Sequence, residues 1–503
     1  MEFTFKKIEN IGSNLLVVFI NNKKNLPSFF EKNSNKILSA IHCFNEFEFK
    51  FQQMILCTVD IDHHYTRRVL FCGLSEIERF NNVDIQKFGG DISDKLNDLK
   101  VVEADIYIDN TELNARQESF ILNLCEGIKL KNYSFNKYFI NKKERNKLYL
   151  ERVNIHCNLD WLEEKFLDRS KIIEATHFVR DLVSEPGNIL NPESFLPICK
   201  DMMKIGVKVK IIDKRDLQRL GMNAILAVGQ GSDSGTYVVT MEWCGDKSCK
   251  DKENLIAFVG KGVTFDTGGI NLKPSGPSIS TMKYDMGGAA VVTGLIQSLA
   301  RRKAKVNAIG VIGLAENMIS GGAQRPGDVI KSMSGQTIEV DNTDAEGRLL
   351  LADIMWYVQE NYKIKLMIDL ATLTGAIVHA LGHHYAGLFS NNDTLAKQLH
   401  EAGEHVGEGV WRLPLEEYYD NLIDSKIADV KNTGRGGAGS ITAAQFLHRF
   451  VKQGCSWAHI DIAGVNWLDD GGKLSPRGAT GYGVRLLNEF ISKNYENTSP
   501  LST

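Results

Sequence analysis

Short apolar stretches alternate with helical runs in the first third of the chain. Apolar segments of this length bounded by polar residues are typical of strands, and runs with a spacing of three to four residues are typical of helices. The helical runs lie at 34–43 and 115–124. The strand-like segments are Leu15–Ile20, 53–59, 68–71 and 104–108.

The same alternation returns after residue 192 and continues through the rest of the chain. Helical runs such as 291–300 and 349–356 separate the apolar segments there. Strands that alternate with helices favour a sheet covered on both faces. The strand-like segments are Lys208–Ile212, 255–260, 307–314, 365–371 and 459–462.

These patterns predict an α/β protein of two domains, as the length of 503 residues also favours. We place a smaller N-terminal α/β domain at 1–165 and a larger C-terminal α/β domain at 191–503. Between them, 166–190 is predicted to be a linker helix and the segment that leads into the larger domain. The larger domain should contain a mixed, largely parallel central sheet flanked by helices. A stretch rich in Lys and Asn, 129–147, is interpreted as a surface loop or the approach to a linker.

Composition narrows the class of protein. Apolar residues make up 43% of the chain and charged residues 24%, which is ordinary for a globular protein. The net charge of −3 gives no general attraction to nucleic acid. The nine cysteines are scattered without a Cys-x-x-Cys pair, so reduced thiols are expected. The start lacks signal-peptide features and no stretch reaches the ~20 apolar residues of a membrane span, so we expect a cytoplasmic protein without a membrane segment.

A short acidic string carries the first candidate chemistry. Asp344, Glu346 and Arg348 are spaced two residues apart at the start of the helical run 349–356. A lone Asp-x-Glu pair at a helix start is usually an ordinary helix-start signal. A functional role is favoured for this pair because a second acidic cluster lies upstream.

That second cluster follows the strand-like segment 255–260. Lys261 is predicted at the carboxyl end of this strand, the edge at which open α/β sheets bind ligands. Asp266 comes five residues later, and Asp285 precedes a glycine pair that opens an apolar helix. Four converging carboxylates raise each other's pKa unless cations neutralise them. Oxygen ligands suit divalent zinc, manganese, magnesium or cobalt.

Lys261 can be interpreted in two ways, and the spacing of the residues along the sequence does not decide between them. A charged lysine has three donors and no acceptor, so it would act as a salt-bridge partner of the carboxylates. A nearby cation can instead hold the amine neutral and leave its lone pair free for the metal.

Seven sequence stretches resemble the leucyl aminopeptidase (cytosol aminopeptidase) family of binuclear metallo-exopeptidases. The resemblance is detailed from about residue 181 to residue 490, and before residue 171 it is one of layout only. It implies that 191–503 is a catalytic metallopeptidase domain and that 1–165 has an assembly or regulatory role. The matching stretches are 260–273, 282–290, 340–351, 369–376, 439–444, 457–464 and 479–485.

The resemblance implies a metal centre with two divalent ions, manganese or zinc, with magnesium or cobalt as alternatives. Asp266 and Glu346 would bridge both ions, Lys261 and Asp285 would complete the tighter site, and Asp344 would serve the more exchangeable one. A water activated by the metals would attack the first peptide bond.

The resemblance also implies two catalytic residues that do not bind metal. Lys273 would stabilise the developing oxyanion, and Arg348 would hold a bicarbonate ion that acts as general base. For both residues, simple charge balance of the acidic cluster is the alternative.

A substrate pocket is implied as well, and its apolar lining should favour leucine, methionine and similar N-terminal residues. Apolar pockets discriminate by only ~1–3 kcal/mol per methylene, so broad acceptance is expected. The segment 273–282, which its two prolines and Gly276 predict to be a loop, is one residue longer than the commonest family spacing, and this could reshape the pocket rim. The implied pocket residues are Met282, Asn342, Ala345, Thr372, Leu373, Thr374 and Gly375.

Partners and alternatives follow from the same resemblance. Short peptides would be the substrates, and a homohexamer built as a dimer of trimers would be the assembly. The first alternative is a DNA-binding architectural or regulatory role, for which 129–147 is the only hint. The others are a metal-binding protein without activity and a Cys-Gly dipeptidase that uses the same site.

Overall fold

In a computed structural model the chain divides into two compact units. The first comprises Met1–Ile173 with Gly471–Pro476, and the second comprises Glu174–Asp470 with Arg477–Thr503. The structure describes residues 1–8, 13, 15–20, 26, 30, 37, 41, 47–62, 65–108, 113, 116–140, 147–246 and 255–496.

The first unit is built on one six-stranded sheet. The strands are β1 (Glu2–Lys6), β2 (Leu15–Ile20), β3 (Met54–Asp62), β4 (Tyr65–Gly73), β5 (Glu103–Tyr107) and β6 (Arg152–His156). Their order is β1-β6-β5-β2-β4-β3, and all neighbours are parallel except β3 and β4. The α-helices described in the first unit are α1 (Asn82–Asp98), α2 (Gln117–Lys131) and the start of α3 (Leu162–Ser184).

The second unit contains the larger sheet and three shorter strand pairings. Its strands are β7 (Lys208–Ile212), β8 (Tyr237–Cys244), β9 (Leu255–Asp266), β10 (Asn307–Asn317), β11 (Val329–Lys331), β12 (Thr337–Glu339), β13 (Ile364–Ala371), β14 (Ala386–Ser390), β15 (Val410–Arg412), β16 (Val430–Lys431), β17 (Ser456–Asp461), β18 (Trp467–Leu468) and β19 (Gly478–Ala479).

The main sheet has the order β15-β14-β17-β13-β9-β10-β8-β7. Strands β17, β13, β9 and β10 form a parallel block at its centre. Antiparallel pairings join β14 to β17, β8 to β10 and β7 to β8 at the flanks. The predicted mixed, largely parallel sheet is therefore confirmed.

Helices cover both faces of this sheet, and glycines of β10 mark the two faces. A Cβ added at Gly310 would meet Val292 and Ile296, whereas one added at Gly313 would meet Leu350. Residues three apart on a strand point to opposite faces. After α3, the α-helices described in the second unit are α4 (Pro192–Asp201), α5 (Lys214–Arg219), α6 (Asn223–Gly229), α7 (Pro277–Thr281), α8 (Gly287–Arg301), α9 (Glu346–Asn361), α10 (Gly375–Leu381), α11 (Asp393–Val406), α12 (Glu417–Asp420), α13 (Gly439–His448) and α14 (Val484–Ile491).

The structure corrects three local predictions, the last two only in part. Lys261 lies inside β9 rather than at its carboxyl end, because pairing with β10 continues as far as Asp266 and Asn317. The segment 129–147 begins as the last turn of α2, where Leu130 is buried. The segment 273–282 contains α7 and is not entirely loop. The helical run predicted at 34–43 lies largely outside the described residues.

Within the described part of the chain, no helix is long and apolar enough to cross a membrane.

Candidate active site

The predicted metal ligands come from the centre of the main sheet and from two helix starts. Lys261 and Asp266 lie on β9, Asp285 stands two residues before α8, and Glu346 is the first residue of α9. Gly347 lets α9 approach β9, because a Cβ there would lie 2.5 Å from Cε of Lys261. The sequence positions that looked separate therefore meet in one place.

Lys261 is buried and paired with carboxylates. Its Nζ lies 2.8 Å from Oδ1 of Asp285 and 2.9 Å from Oε1 of Glu346, and it donates a hydrogen bond of 3.0 Å to the carbonyl oxygen of Thr372. Burial opposes the charge, but Asp285, Glu346 and Asp266 together raise the pKa of the Lys261 amine above its ordinary value. These contacts place the Lys261 amine among the same carboxylates in both interpretations, as a salt-bridge partner or as a metal ligand beside them.

Lys273 occupies a second bridging position. Its Nζ lies 2.8 Å from Oδ2 of Asp266 and 2.6 Å from Oδ1 of Asp344. Burial again opposes the charge, yet the surrounding carboxylates, Asp266 first, raise the pKa of Lys273 above its ordinary value. The ammonium group thus lies beside the carboxylate cluster and faces the cavity described below.

The carboxylates form a group that a metal ion can occupy. One oxygen from each of Asp266, Asp344 and Glu346 lies within 4.8 Å of the others. Burial, and then the charge of Asp266, raise the pKa of Asp344 and of Glu346. Burial, and then the charge of Glu346, raise the pKa of Asp285 well above its ordinary range despite nearby Lys261.

Two observations show that this group suits cations. Oδ2 of Asp285 is buried and has no hydrogen-bond partner among the described residues, so it retains free lone pairs. Four carboxylates also face three cationic groups, the ammonium groups of Lys261 and Lys273 and the guanidinium of Arg348, which leaves one negative charge uncompensated. An all-oxygen set of this kind fits hard or borderline divalent ions.

Arg348 is buried on the same helix as Glu346. Its Nη1 donates a hydrogen bond of 2.5 Å to the carbonyl oxygen of Asn432, and its Nε has no partner within the described residues. Burial lowers the pKa of Arg348 to about 10. A guanidinium with an unused donor lining a cavity suits a small anion.

The loop that carries Asp344 is held by residues that the sequence did not single out. Asn432 accepts hydrogen bonds from the backbone N–H groups of Asp341 and Asn342 and donates to the carbonyl oxygens of Asn342 and Ala345. Asn432 is fully buried. Such an asparagine can be found only when the loop geometry is known.

Asp266 is oriented in a similar way. Its Oδ1 accepts hydrogen bonds from the backbone N–H of Gly268 at 2.9 Å and from Nδ2 of Asn317 at 2.8 Å. Asn317 is the last residue of β10, the strand paired with β9, and its side chain also donates to the carbonyl oxygen of Thr343. One amide thereby links Asp266 to the Asp344 loop.

A cavity of about 500 Å³ lies over these residues. All predicted metal-binding, catalytic and pocket residues line it, from Lys261 on β9 to Gly375 at the start of α10. The structure thus brings the predicted set together, while the role of each residue remains a prediction. Lining residues that the sequence prediction missed are Pro274, Tyr284, Ala376, Val378, Thr433, Gly439 and Ala463.

An α/β sheet that gathers four carboxylates, two lysines and an arginine in one cavity fits the class of metal-dependent hydrolases. Comparison with known proteins narrows this class. Residues 177–488 match the catalytic domain of the cytosol aminopeptidase family, and residues 16–142 match its N-terminal domain. The chain belongs to the cytosol aminopeptidase family.

Individual relatives align with this chain over nearly its whole length. The chain is 49% identical over 470 residues to a probable cytosol aminopeptidase of Ehrlichia ruminantium (strain Gardel), covering 92% of this chain and 91% of the relative. It is 43% identical over 504 aligned residues to one of Rickettsia bellii (strain OSU 85-389), covering 99% and 100%. The protein is thus a peptidase of a metal-dependent aminopeptidase family.

A solved structure shares the fold. The bottromycin maturation enzyme BotP in complex with Mn superposes with a TM-score of 0.82 at 28% identity, covering 96% of this chain and 99% of that one.

Proposed function

We propose that the protein is a two-metal aminopeptidase that releases N-terminal leucine and other apolar residues from short peptides. The observation that carries this proposal is the single cavity in which the carboxylate cluster adjoins an apolar wall. A centre that binds a free α-amine next to a pocket for one side chain selects the first residue of a peptide.

The chain offers ligands for two divalent ions. Asp266 and Glu346 would be shared, Lys261 and Asp285 would complete the tighter position, and Asp344 would serve the exchangeable one. Manganese or zinc is proposed, with magnesium or cobalt as alternatives, and the manganese in the BotP structure supports the first. When bound, such ions polarise a carbonyl group and lower the pKa of a water to near neutrality.

Two cationic side chains would act on the substrate. Lys273, whose Nζ faces the cavity between Asp266 and Asp344, is placed to donate to the carbonyl oxygen as negative charge develops there. Arg348 would hold a bicarbonate ion through its unused Nε donor, and bicarbonate supplies a general base. Asn432 fixes the orientation of the Arg348 guanidinium through its carbonyl oxygen.

The side chain of the N-terminal residue would enter the apolar part of the cavity. Met282, Leu373 and Ala345 contribute apolar surface there, and Val378 and Ala463 extend it. The remaining pocket positions, Asn342, Thr372, Thr374 and Gly375, would contact the peptide backbone or limit pocket size.

Acetylating the substrate amine tests the exopeptidase geometry. The free amine would lie beside Oδ2 of Asp285, which has no hydrogen-bond partner within the described residues, and acetylation turns the amine into an amide that is neither charged nor basic. We expect kcat/KM for N-acetyl-leucine anilide to be about 10²–10³-fold lower than for leucine anilide, as for loss of one buried charged partner. Equal hydrolysis of both anilides would show that the α-amine is not recognised.

The assembly and the cellular location rest on family membership. We propose a homohexamer, a dimer of trimers, and a cytoplasmic location, in keeping with relatives named as cytosol aminopeptidases. The Lys- and Asn-rich stretch 129–147 is the only support for the DNA-binding alternative, and two of its lysines already contact other groups of the protein. Lys129 donates a hydrogen bond to Ser170, and Lys131 lies 3.3 Å from Asp94 and donates to the carbonyl oxygen of Gly472.

A further inference from the structure

Asp461 is a fully buried carboxylate to which the proposed chemistry assigns no part. It is the last residue of β17, next to β13 in the parallel block. Its Oδ1 accepts hydrogen bonds from the backbone N–H groups of Leu373 at 3.1 Å and Ala463 at 3.2 Å. Its Oδ2 accepts one of 2.6 Å from Oγ1 of Thr374.

These bonds tie together two walls of the cavity. Leu373 and Thr374 belong to the segment that follows β13, and Ala463 belongs to the segment that follows β17; all three line the cavity. Asp461 is absent from the lining and lies behind it. The distance between the two walls therefore depends on a side chain that does not face the cavity.

The same segment after β13 also contacts the carboxylate centre. Oγ1 of Thr372 donates a hydrogen bond of 2.7 Å to Oδ1 of Asp285, and its carbonyl oxygen accepts one of 3.0 Å from Nζ of Lys261. A shift of this segment would therefore change both the position of the pocket wall and the hydrogen bonds to Lys261 and Asp285.

We propose that Asp461 is a positioning residue that sets the width of the side-chain pocket and, through Thr372, the orientation of Lys261 and Asp285. This inference rests on the proposed aminopeptidase function and adds a determinant of its specificity. Asp461 acts by geometry, because both of its oxygens are used as acceptors by the two walls.

Its charge is the alternative explanation, since Asp461 also lies in the electrostatic surroundings of Arg348 and His459. Asparagine separates the two explanations. Its carbonyl oxygen can replace Oδ1 and accept from Leu373 and Ala463, and its amide can donate to Oγ1 of Thr374, because a hydroxyl both donates and accepts.

The test compares Asp461→Asn and Asp461→Ala on leucine anilide and alanine anilide. For Asp461→Ala we expect kcat/KM on leucine anilide to fall roughly tenfold or more, mainly through KM, and the preference for leucine over alanine to shrink several-fold. Asp461→Asn should stay within about twofold of the unmodified protein in both quantities.

Asp353→Ala is the matched control. Asp353 is equally buried and accepts three backbone N–H bonds, from Ala224, Ile225 and Met333, but it does not line the cavity. Its loss should lower the thermal midpoint without changing the leucine-to-alanine preference. If Asp461→Ala does not fold, Asp461→Ser keeps a small polar side chain that is too short to bond all three donors, and a smaller shift in the same direction is expected.

The outcomes are distinct. Unchanged preference in Asp461→Ala, or in Asp461→Ser where that variant replaces it, overturns the inference, and so does an Asp461→Asn variant as impaired as Asp461→Ala. Either result leaves the proposed function intact as long as the unmodified protein hydrolyses leucine anilide. Binding of manganese, followed by calorimetry, gives a readout independent of turnover: it should weaken in Asp461→Ala and not in Asp461→Asn.

Discussion

Replacing Glu346 by glutamine is expected to lower kcat/KM by at least about 10³-fold, because changing residues that merely support metal ligands already costs 10–100-fold. Glu346 is 1% exposed, and its Oε1 lies 2.9 Å from Nζ of Lys261. Glutamine keeps the shape and the hydrogen bond but removes the negative charge from a position proposed to be shared by two cations. The steady-state rate on leucine anilide measures the effect.

Thermal unfolding of Glu346→Gln separates loss of metal from loss of fold. A ligand that binds only the folded state at 100 times its Kd stabilises it by about 2.7 kcal/mol. Manganese should therefore raise the thermal midpoint of the unmodified protein and not that of the variant. Without metal, the variant should unfold at the same or a higher temperature, since Asp266 and Glu346 repel each other.

Glu408→Gln is the control for this experiment. Glu408 is also a buried glutamate, but it accepts hydrogen bonds from the backbone N–H groups of Gly483 and Leu486 and does not line the cavity. It should lose stability and keep the manganese response. A Glu346→Gln protein that keeps both its rate and its manganese response would rule out Glu346 as a ligand.

Replacing Lys273 by alanine is expected to lower kcat by about 10²–10³-fold, the usual effect of removing one donor to a developing oxyanion. KM should change little, because the interaction strengthens only as the charge develops. Metal binding should persist or strengthen, since the variant removes a positive charge 2.8 Å from Asp266 and 2.6 Å from Asp344. Kinetics together with calorimetric titration of manganese measures both.

Lys431→Ala provides the comparison for Lys273. The two lysine side chains are similarly exposed, at 21% and 16%, and each contacts two carboxylates. Lys431 pairs with Glu339 and Asp341 and does not line the cavity, so its replacement should leave kcat unchanged. If Lys273→Ala retains full kcat, Lys273 serves only to balance the charge of the cluster.

Long apolar segments were predicted well from the sequence. The strand at Leu15–Ile20 was predicted with its observed bounds, and the helical run 291–300 lies within α8. Periodicity suffices in these cases because burial on one or both faces leaves a regular pattern. One strand of mixed polarity, β6, was missed, since Arg152–His156 alternates polar and apolar residues over only five positions.

The extension of β9 shows why element ends are harder. The apolar run stops before Lys261, yet the strand continues to Asp266 because β10 supplies partners for those residues. Pairing between distant strands overrides the local composition in this case. The predicted cluster still met, since Asp285 and Glu346 lie at helix starts beside the same strands.

The supporting residues of the site were beyond prediction for a different reason. Asn317, Asn432 and Asp461 act through hydrogen bonds to backbone groups far away in the sequence, such as Asn432 to Asn342 and Asp461 to Leu373. Nothing in their local spacing marks these contacts. Only the parallel alignment of β9, β10, β13 and β17, and for Asn432 that of β12 and β16, brings the partners within reach.

The central claim is that a metal centre built on Asp266, Asp285, Asp344 and Glu346 cleaves the first peptide bond. The most direct measurement is hydrolysis of leucine anilide by the full chain after chelation, followed by separate addition of manganese, zinc, magnesium and cobalt. We predict that chelation abolishes hydrolysis and that manganese or zinc restores it. Hydrolysis that survives complete removal of metal, or that no divalent ion restores, would contradict the account.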